Sequence, residues 1–190
     1  MSDELMLDVG QANEIKLAAR RAGATNADLK RLSQGDVFAQ ILPVLRGLGE
    51  VIITKYIVDL DADPFVPSDW KVVEHTRGGK LEFDPRKVQL YLDEEQQAGR
   101  LIVGNKLREK LKGKTVFNAN LLEFYLKNPH LIPDEWKGKA VFFWGTIYRD
   151  SLGNLCVRCL YWNDSSWDWR YRWLDDRFHD RSPAAISASI

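Results

Sequence analysis

Cysteine, histidine and net charge are scarce in this 190-residue chain: two cysteines, three histidines, and 27 basic residues cancelled by 27 acidic ones. The charge balance excludes a global basic field of the kind that dominates nucleic-acid affinity, so any such binding would rest on a local patch. No segment approaches the length of a membrane span. The N-terminus, Met1-Ser-Asp-Glu-Leu, lacks the cationic start and unbroken apolar stretch of a secretory signal, so the expected compartment is the cytoplasm. With 45% hydrophobic and 28% charged residues the composition is that of an ordinary globular protein, and disorder is not indicated. The length suits one domain, or one and a small appendage.

The two cysteines stand as Cys156-x-x-Cys159, a spacing that invites a redox or zinc reading. Here, however, they lie in a strand-like run, where residues three apart point to opposite faces, whereas redox and zinc pairs sit on turns or helix starts. No second Cys or His pair follows nearby, so two packed, reduced thiols are expected.

What the chain has in abundance is tryptophan, and five of its seven lie between Trp144 and Trp173. The run Val141-Phe-Phe-Trp-Gly-Thr-Ile-Tyr148 is rich in aromatic and β-branched types and predicts a strand. Asp150-Ser-Leu-Gly-Asn154 predicts a tight turn with Gly153 at positive φ, and Asn163-Asp-Ser-Ser166 a second one. The result is a three-stranded antiparallel meander over 141–148, 155–162 and 167–174. In that register Trp162 opposes Trp167, and alternation places Phe142, Trp144, Thr146, Tyr148, Cys156, Arg158, Leu160, Trp162, Trp167, Trp169, Tyr171 and Trp173 on one face. Val141, Phe143, Ile147, Val157, Cys159, Asp168, Arg170 and Arg172 take the other.

Both faces hold enough apolar area to be a core, and a face left uncovered would be a binding patch. The candidate surface is Trp144, Arg158, Trp162, Trp167, Trp169 and Tyr171, flanked by Arg170 and Arg172. Bases or sugar rings would suit such stacking, with Arg158 offering cation–π contact or a charge for phosphate or carboxylate. Burial of the rings under helices, with Arg158 stacked among them, is the expectation that aromatic packing favours.

Upstream, residues 1–48 read as a helical region. Ile15, Ala18, Ala19 and Ala22 share a helical face, Gly23 ends that helix, Thr25 or Asn26 caps a second, and Asp36 caps a third that contains Pro43. The Ala19, Gly23, Leu29 spacing has a faint helix-turn-helix character. Lys16, Arg20, Arg21, Lys30 and Arg31 make the segment locally basic, so weak DNA binding is one alternative function, although solvated helix faces carry the same charges.

Residues 49–190 form the second region. A strand is expected over Glu50–Leu60, ending in Asp59-Leu-Asp-Ala-Asp63. Like charges this close need solvation or a hard cation, so a divalent-metal hydrolase or nuclease using Asp59, Asp61 and Asp63 with Glu74 or His75 is a further alternative. An EF-hand loop is excluded, because Pro64 and Trp70 stand where Gly and an acid belong. Lys71–His75 and Lys80–Phe83 around Gly78-Gly79 predict a β-hairpin. Residues 85–98 carry both strand alternation and helix-start signals. Asn105 and Asn118 are expected to cap helices, and His130, between prolines, is expected to be structural.

Three stretches carry a resemblance: Asp61-Ala-Asp-Pro-Phe-Val-Pro67 with Trp70 and His75; Asn118-Ala-Asn120 leading to Asn128-Pro-His-Leu-Ile-Pro133 and Trp136-Lys-Gly138; and Phe143-Trp-Gly-Thr-Ile-Tyr-Arg-Asp150 with Leu160-Tyr-Trp162. Together they resemble a group of uncharacterised bacterial proteins of similar length, from about Asp36 onward. The resemblance implies a bacterial source and transfers no activity.

The fold expected is α+β: N-terminal helical-hairpin elements, a central β-hairpin with helices, and the C-terminal aromatic meander. The leading function is non-enzymatic binding or assembly, with no cofactor. The edge strand 167–174 is a candidate for pairing with another copy.

Overall fold

The computed structural model describes residues 8–50 and 55–188. Two compact units divide the chain, 1–54 and 55–190.

The first unit is helical, with α1 (Val9–Arg21), α2 (Asn26–Leu32) and α3 (Val37–Leu45). Local chemistry sets the ends of the first two. Asp8 and Gln11 form a capping box on α1, Thr25 and Asp28 form one on α2, and Gly23 at φ +77° turns the chain between them. Asp36 occupies the cap position of α3 without a side-chain hydrogen bond. No described side chain of these helices is fully buried, and Phe38 and Leu45 are about half exposed or more. Of the strand expected over 50–60, residues 51–54 lie outside the described part.

The second unit is α+β. Its elements run β1 (Ile57–Asp59), β2 (Lys71–His75), β3 (Lys80–Glu82), β4 (Val88–Tyr91), α4 (Glu94–Gln97), β5 (Ile102–Val103), α5 (Gly104–Lys110), α6 (Ala119–Lys127), β6 (Ala140–Arg149), β7 (Leu155–Trp162), β8 (Trp167–Trp173), β9 (Arg177–Phe178) and β10 (Ala184–Ser187). The main sheet is ordered β4-β10-β6-β7-β8, with β2 adding to β6. Within it β6-β7-β8 is the antiparallel aromatic meander.

Both reversals form as their sequences dictate. Asp150 Oδ1 accepts from the amides of Leu152 and Asn154 at 3.0 and 2.9 Å, and Gly153 stands at φ +92°. Asn163 Oδ1 gathers the amides of Ser165 and Ser166 at 3.1 and 2.8 Å. Trp162 opposes Trp167 and Arg158 opposes Tyr171, as the turns require.

The β6–β7 ladder departs from the simple register. It runs with Phe142 opposite Cys159, then resumes with Ile147 opposite Val157, so β6 holds extra residues in a bulge over 143–146. Gly145 leaves the ladder there: its amide donates to Phe117 O at 2.9 Å and its carbonyl accepts from Thr76 N at 2.7 Å. A β-carbon at this position would stand 2.8 Å from Asn118 N, so only glycine lets β6 meet the start of α6. The bulge corrects the face inventory, because Phe142 and Trp144 now pack with Ile147, Val157 and Phe178 on the side away from Trp162 and Trp167.

Each sheet face is a core. Beneath α6, Leu121, Leu122 and Tyr125 meet Val141, Phe143, Leu160 and Trp136. On the opposite face Leu107 and Leu111 join Ile102, Phe142, Trp144, Val157, Cys159 and Phe178.

Three local expectations change. Lys71–His75 and Lys80–Glu82 do not pair as a hairpin: β2 joins β6 and β3 joins β1, because the Gly78 and Gly79 amides are taken by Asp61 Oδ1 at 3.0 and 2.9 Å. Residues 85–98 satisfy both signals in turn, with a 3₁₀ turn at Pro85–Lys87, then β4, then α4 capped by Asp93. Asn105 is not a cap. α5 begins at Gly104, pressed against Leu174 and Phe178 where no side chain fits, and Asn105 donates instead to Asp175 at 2.7 Å. Asn118 does cap α6, accepting from Asn120 N.

Candidate binding surface

The aromatic face of β7 and β8 is partly covered by a segment the sequence did not assign to it. Tyr148 donates its hydroxyl hydrogen to Phe65 O at 3.0 Å, and Trp70 packs on Tyr148, Trp169 and Tyr171 with centroid separations of 5.8, 6.4 and 4.8 Å. The segment 65–70 therefore lies across the wall, while Phe65, Tyr171 and Trp173 stay 50%, 43% and 37% exposed.

Arg158 is sealed inside this aromatic box, 1% exposed, with its guanidinium carbon 4.1 Å from the Trp169 ring centroid and 5.0 Å from that of Phe65. Its charge is countered by Glu123 of α6, at 2.7 Å between Nη1 and Oε1. That approach is close but poorly aligned, and none of the three guanidinium nitrogens has a well-directed acceptor. Charge proximity and ring stacking, more than hydrogen bonding, hold the group. Glu123 also lines a groove of about 630 Å³ between β1 and α6, with Asp59, Asp63, Phe65 and Lys127.

The remaining sequence candidates fall into two sets. Trp162 and Trp167 meet edge to face at 5.5 Å, with Lys137 Nζ 4.6 Å over Trp162, and they join Trp169, Tyr171 and Arg158 on one side. Trp144 lies on the other side, 5% exposed against Phe178. Arg170 shares that side, exposed, and stacks on Tyr161 at 4.1 Å. Arg172 is half-buried there and donates to Arg177 O at 2.9 Å.

The edge of the sheet is formed by β8. Antiparallel ladders alternate, and Leu174 N bonds to Leu155 O at 2.8 Å, so the even-numbered residues of β8 direct their backbone groups to β7. Trp167, Trp169, Tyr171 and Trp173 then direct theirs outward. Among the described residues only two of these groups find local partners: Trp169 N donates to Asp168 Oδ1 at 2.7 Å, and Trp173 O accepts from Asp176 N at 3.1 Å. Trp173 is further tied at its ring, Nε1 donating to Asp150 Oδ2 at 2.8 Å. Although burial raises the Asp150 carboxyl, the bonds from Asn154, Trp173 and Leu152 outweigh it and hold the group below its ordinary value.

Of the carboxylates of the metal alternative, Asp59 and Asp61 bond backbone amides, and Asp63 lines the groove between β1 and α6. Asp59 Oδ1 accepts from Asp61 N and Ala62 N at 3.0 and 3.2 Å, Asp61 holds the two glycine amides, and Glu74 pairs with Arg108. His75 Nδ1 lies 2.9 Å from Thr146 Oγ1 and its Nε2 lies 3.2 Å from Leu60 O. Asn118 Nδ2 donates to Leu60 O and Thr76 O and lies 3.3 Å from His75 Nε2, so the ring is held at both nitrogens within this polar junction. Among the described residues no three His, Cys, Asp or Glu side chains gather as a metal site.

Cys156 and Cys159 are buried, free and on opposite faces, and burial pushes both thiols up to about 12. No described helix is long and apolar enough to cross a membrane.

Compared with known protein families, curated proteins and solved structures, the chain matches none. The functional reading therefore rests on geometry.

Proposed function

We propose that this protein is a non-enzymatic binding module that captures an extended polypeptide along β8, in the cytoplasm, where its two buried thiols stay reduced. The observation that carries the reading is the outward row of backbone groups on Trp167 and Tyr171, at the end of the main sheet and beside half-exposed rings. Strand addition supplies affinity through main-chain hydrogen bonds and specificity through alternate side chains. Here Tyr171 and Trp173 offer apolar contact on one flank, and Asp168 and Arg170 offer charge on the other.

A panel of fluorescein-labelled, strand-forming decapeptides of varied flank charge tests this by fluorescence polarisation. At least one charge class is expected to bind the wild-type protein and to slow hydrogen exchange at the Tyr171 amide. Tyr171→Pro removes an outward donor that β7 does not use, so it should keep the fold and lose binding. Absence of binding across the panel by the monomeric protein, or binding that leaves the Tyr171 amide unprotected, would overturn the reading.

A further inference from the structure

β8 is complementary to itself in one antiparallel register. We infer that the strand it receives is β8 of a second copy of this chain, related by a two-fold axis through Trp169; this rests on the strand-capture reading above. In that register Trp169 faces the partner's Trp169, Trp167 faces the partner's Tyr171, and Asp168 faces the partner's Arg170. The Trp169 pair lies on the axis, and the other two relations each occur twice, as an isologous contact requires.

Three independent features agree on it. The first is backbone direction: Trp167, Trp169 and Tyr171 are the residues whose N–H and C=O groups point out of the sheet, so the facing pairs are the ones able to exchange both bonds. Aromatic continuity is the second, because Trp167, Trp169 and Tyr171 share one flank and would continue that flank across the junction.

Charge is the third, and it discriminates between registers. An axis through Arg170 would set Arg170 against its own copy, an axis through Tyr171 would set Arg170 against Arg172, and an axis through Asp168 would set Asp168 against itself. Only the Trp169 axis gives each charged residue of the paired stretch an opposite partner. The pairing ends where the Asn163–Ser166 turn begins.

The isolated chain guards this edge. Asp168 Oδ1 holds the Trp169 amide at 2.7 Å, which blocks the central outward donor. On pairing, that amide would turn to the partner's Trp169 carbonyl and the released carboxylate to the partner's Arg170. Assembly thus exchanges one charge-assisted bond for two contacts, and it weakens with added salt.

Sedimentation equilibrium of the full chain tests the register through charge reversal. The wild type is expected to dimerise at micromolar concentration. Asp168→Arg and Arg170→Asp should each weaken the dimer by roughly tenfold or more, since each sets like charges opposite twice. An equimolar mixture of the two variants should form a heterodimer, and the chain carrying both changes should recover the homodimer. Recovery is a readout that mere loss of folding cannot mimic. A monomeric wild type that still binds peptides along β8 overturns self-pairing and leaves strand capture standing. A monomer that binds no peptide removes both. A dimer indifferent to these reversals places the contact elsewhere and also overturns the inference.

Discussion

Arg158 Nη1 and Glu123 Oε1 lie 2.7 Å apart with the arginine wholly shielded and the glutamate side chain still 24% exposed. The pair joins the second strand of the meander to α6, so the aromatic wall and the helix over it share one charge couple. Removing one member leaves the other uncompensated in a low-dielectric site, which costs more than the pair itself contributes. Glu123→Ala is therefore expected to destabilise the protein by about 3 kcal/mol, the lower part of the usual range because Glu123 keeps some solvent. Arg158→Met combined with Glu123→Gln should cost less than Glu123→Ala alone. Urea melts of the three variants check the ordering.

Gly145 gives a second prediction, of steric origin. Its missing β-carbon makes room for the Asn118 backbone, which cannot recede without moving the start of α6. Gly145→Ala should lower stability by about 1–3 kcal/mol, the cost of overpacking a close contact. The same melts, with amide exchange at Ala119 as a local reporter, measure it; Ala119 N donates to Thr146 Oγ1 at 3.0 Å next to the bulge.

The same glycine marks where the sequence stopped being legible. Asp150 and Asn163 are local devices, whose side chains bond within four residues, so the β7–β8 register and the turn end of the β6–β7 ladder are derivable. The bulge is a tertiary event: its extra residues are accommodated because Phe117, Thr76 and Asn118 come to meet them from distant parts of the chain. Gly145 is the one local sign of it, since an isolated glycine in a strand pattern marks a bulge or a close backbone approach; plain alternation through Phe143-Trp-Gly-Thr146 overlooks that sign and puts Trp144 on the wrong side. Likewise Gly78-Gly79 is a hairpin signal whose amides a carboxylate 17 residues upstream claims. Arg158 was legible as the centre of the aromatic set. Its counter-ion Glu123 and its cover Phe65 were not, since neither spacing nor composition links them to β7.

Asn118 provides a test of the polar junction beneath the bulge. Its Nδ2 donates to two carbonyls, Leu60 O at 2.7 Å and Thr76 O at 2.9 Å, and its Oδ1 caps α6. Asn118→Asp keeps the cap but turns a donor into an acceptor facing both carbonyls, whereas Asn118→Ala merely removes the bonds to Thr76 O and Asn120 N, with Leu60 O still 3.2 Å from His75 Nε2. The aspartate variant is expected to be the less stable at pH 7, and to recover part of the difference as the pH is lowered and the carboxyl takes up a proton. Thermal melts between pH 4 and pH 7 follow it, with those pH values as an approximate working range.

Alkaline stability is the last prediction. Burial raises both thiols from about 9 to about 12 in the folded chain, and Tyr125 and Tyr148 are raised by the same cause. Between those values the unfolded chain has lost thiol protons that the folded chain retains. Stability must then fall as the pH rises above about 9, with each thiol contributing a slope of at most about 1.4 kcal/mol per pH unit until its folded value is reached. Cys159→Ala removes one of these contributions, so its stability should decline less steeply than that of the wild type between pH 9 and 11, an approximate window set by the same shift. Equal slopes in urea titrations across that window would show that the thiol at the sheet's inner face is not the group that resists ionisation. The same shielding predicts that neither cysteine reacts with a thiol reagent at neutral pH until the chain unfolds, and that both then react together.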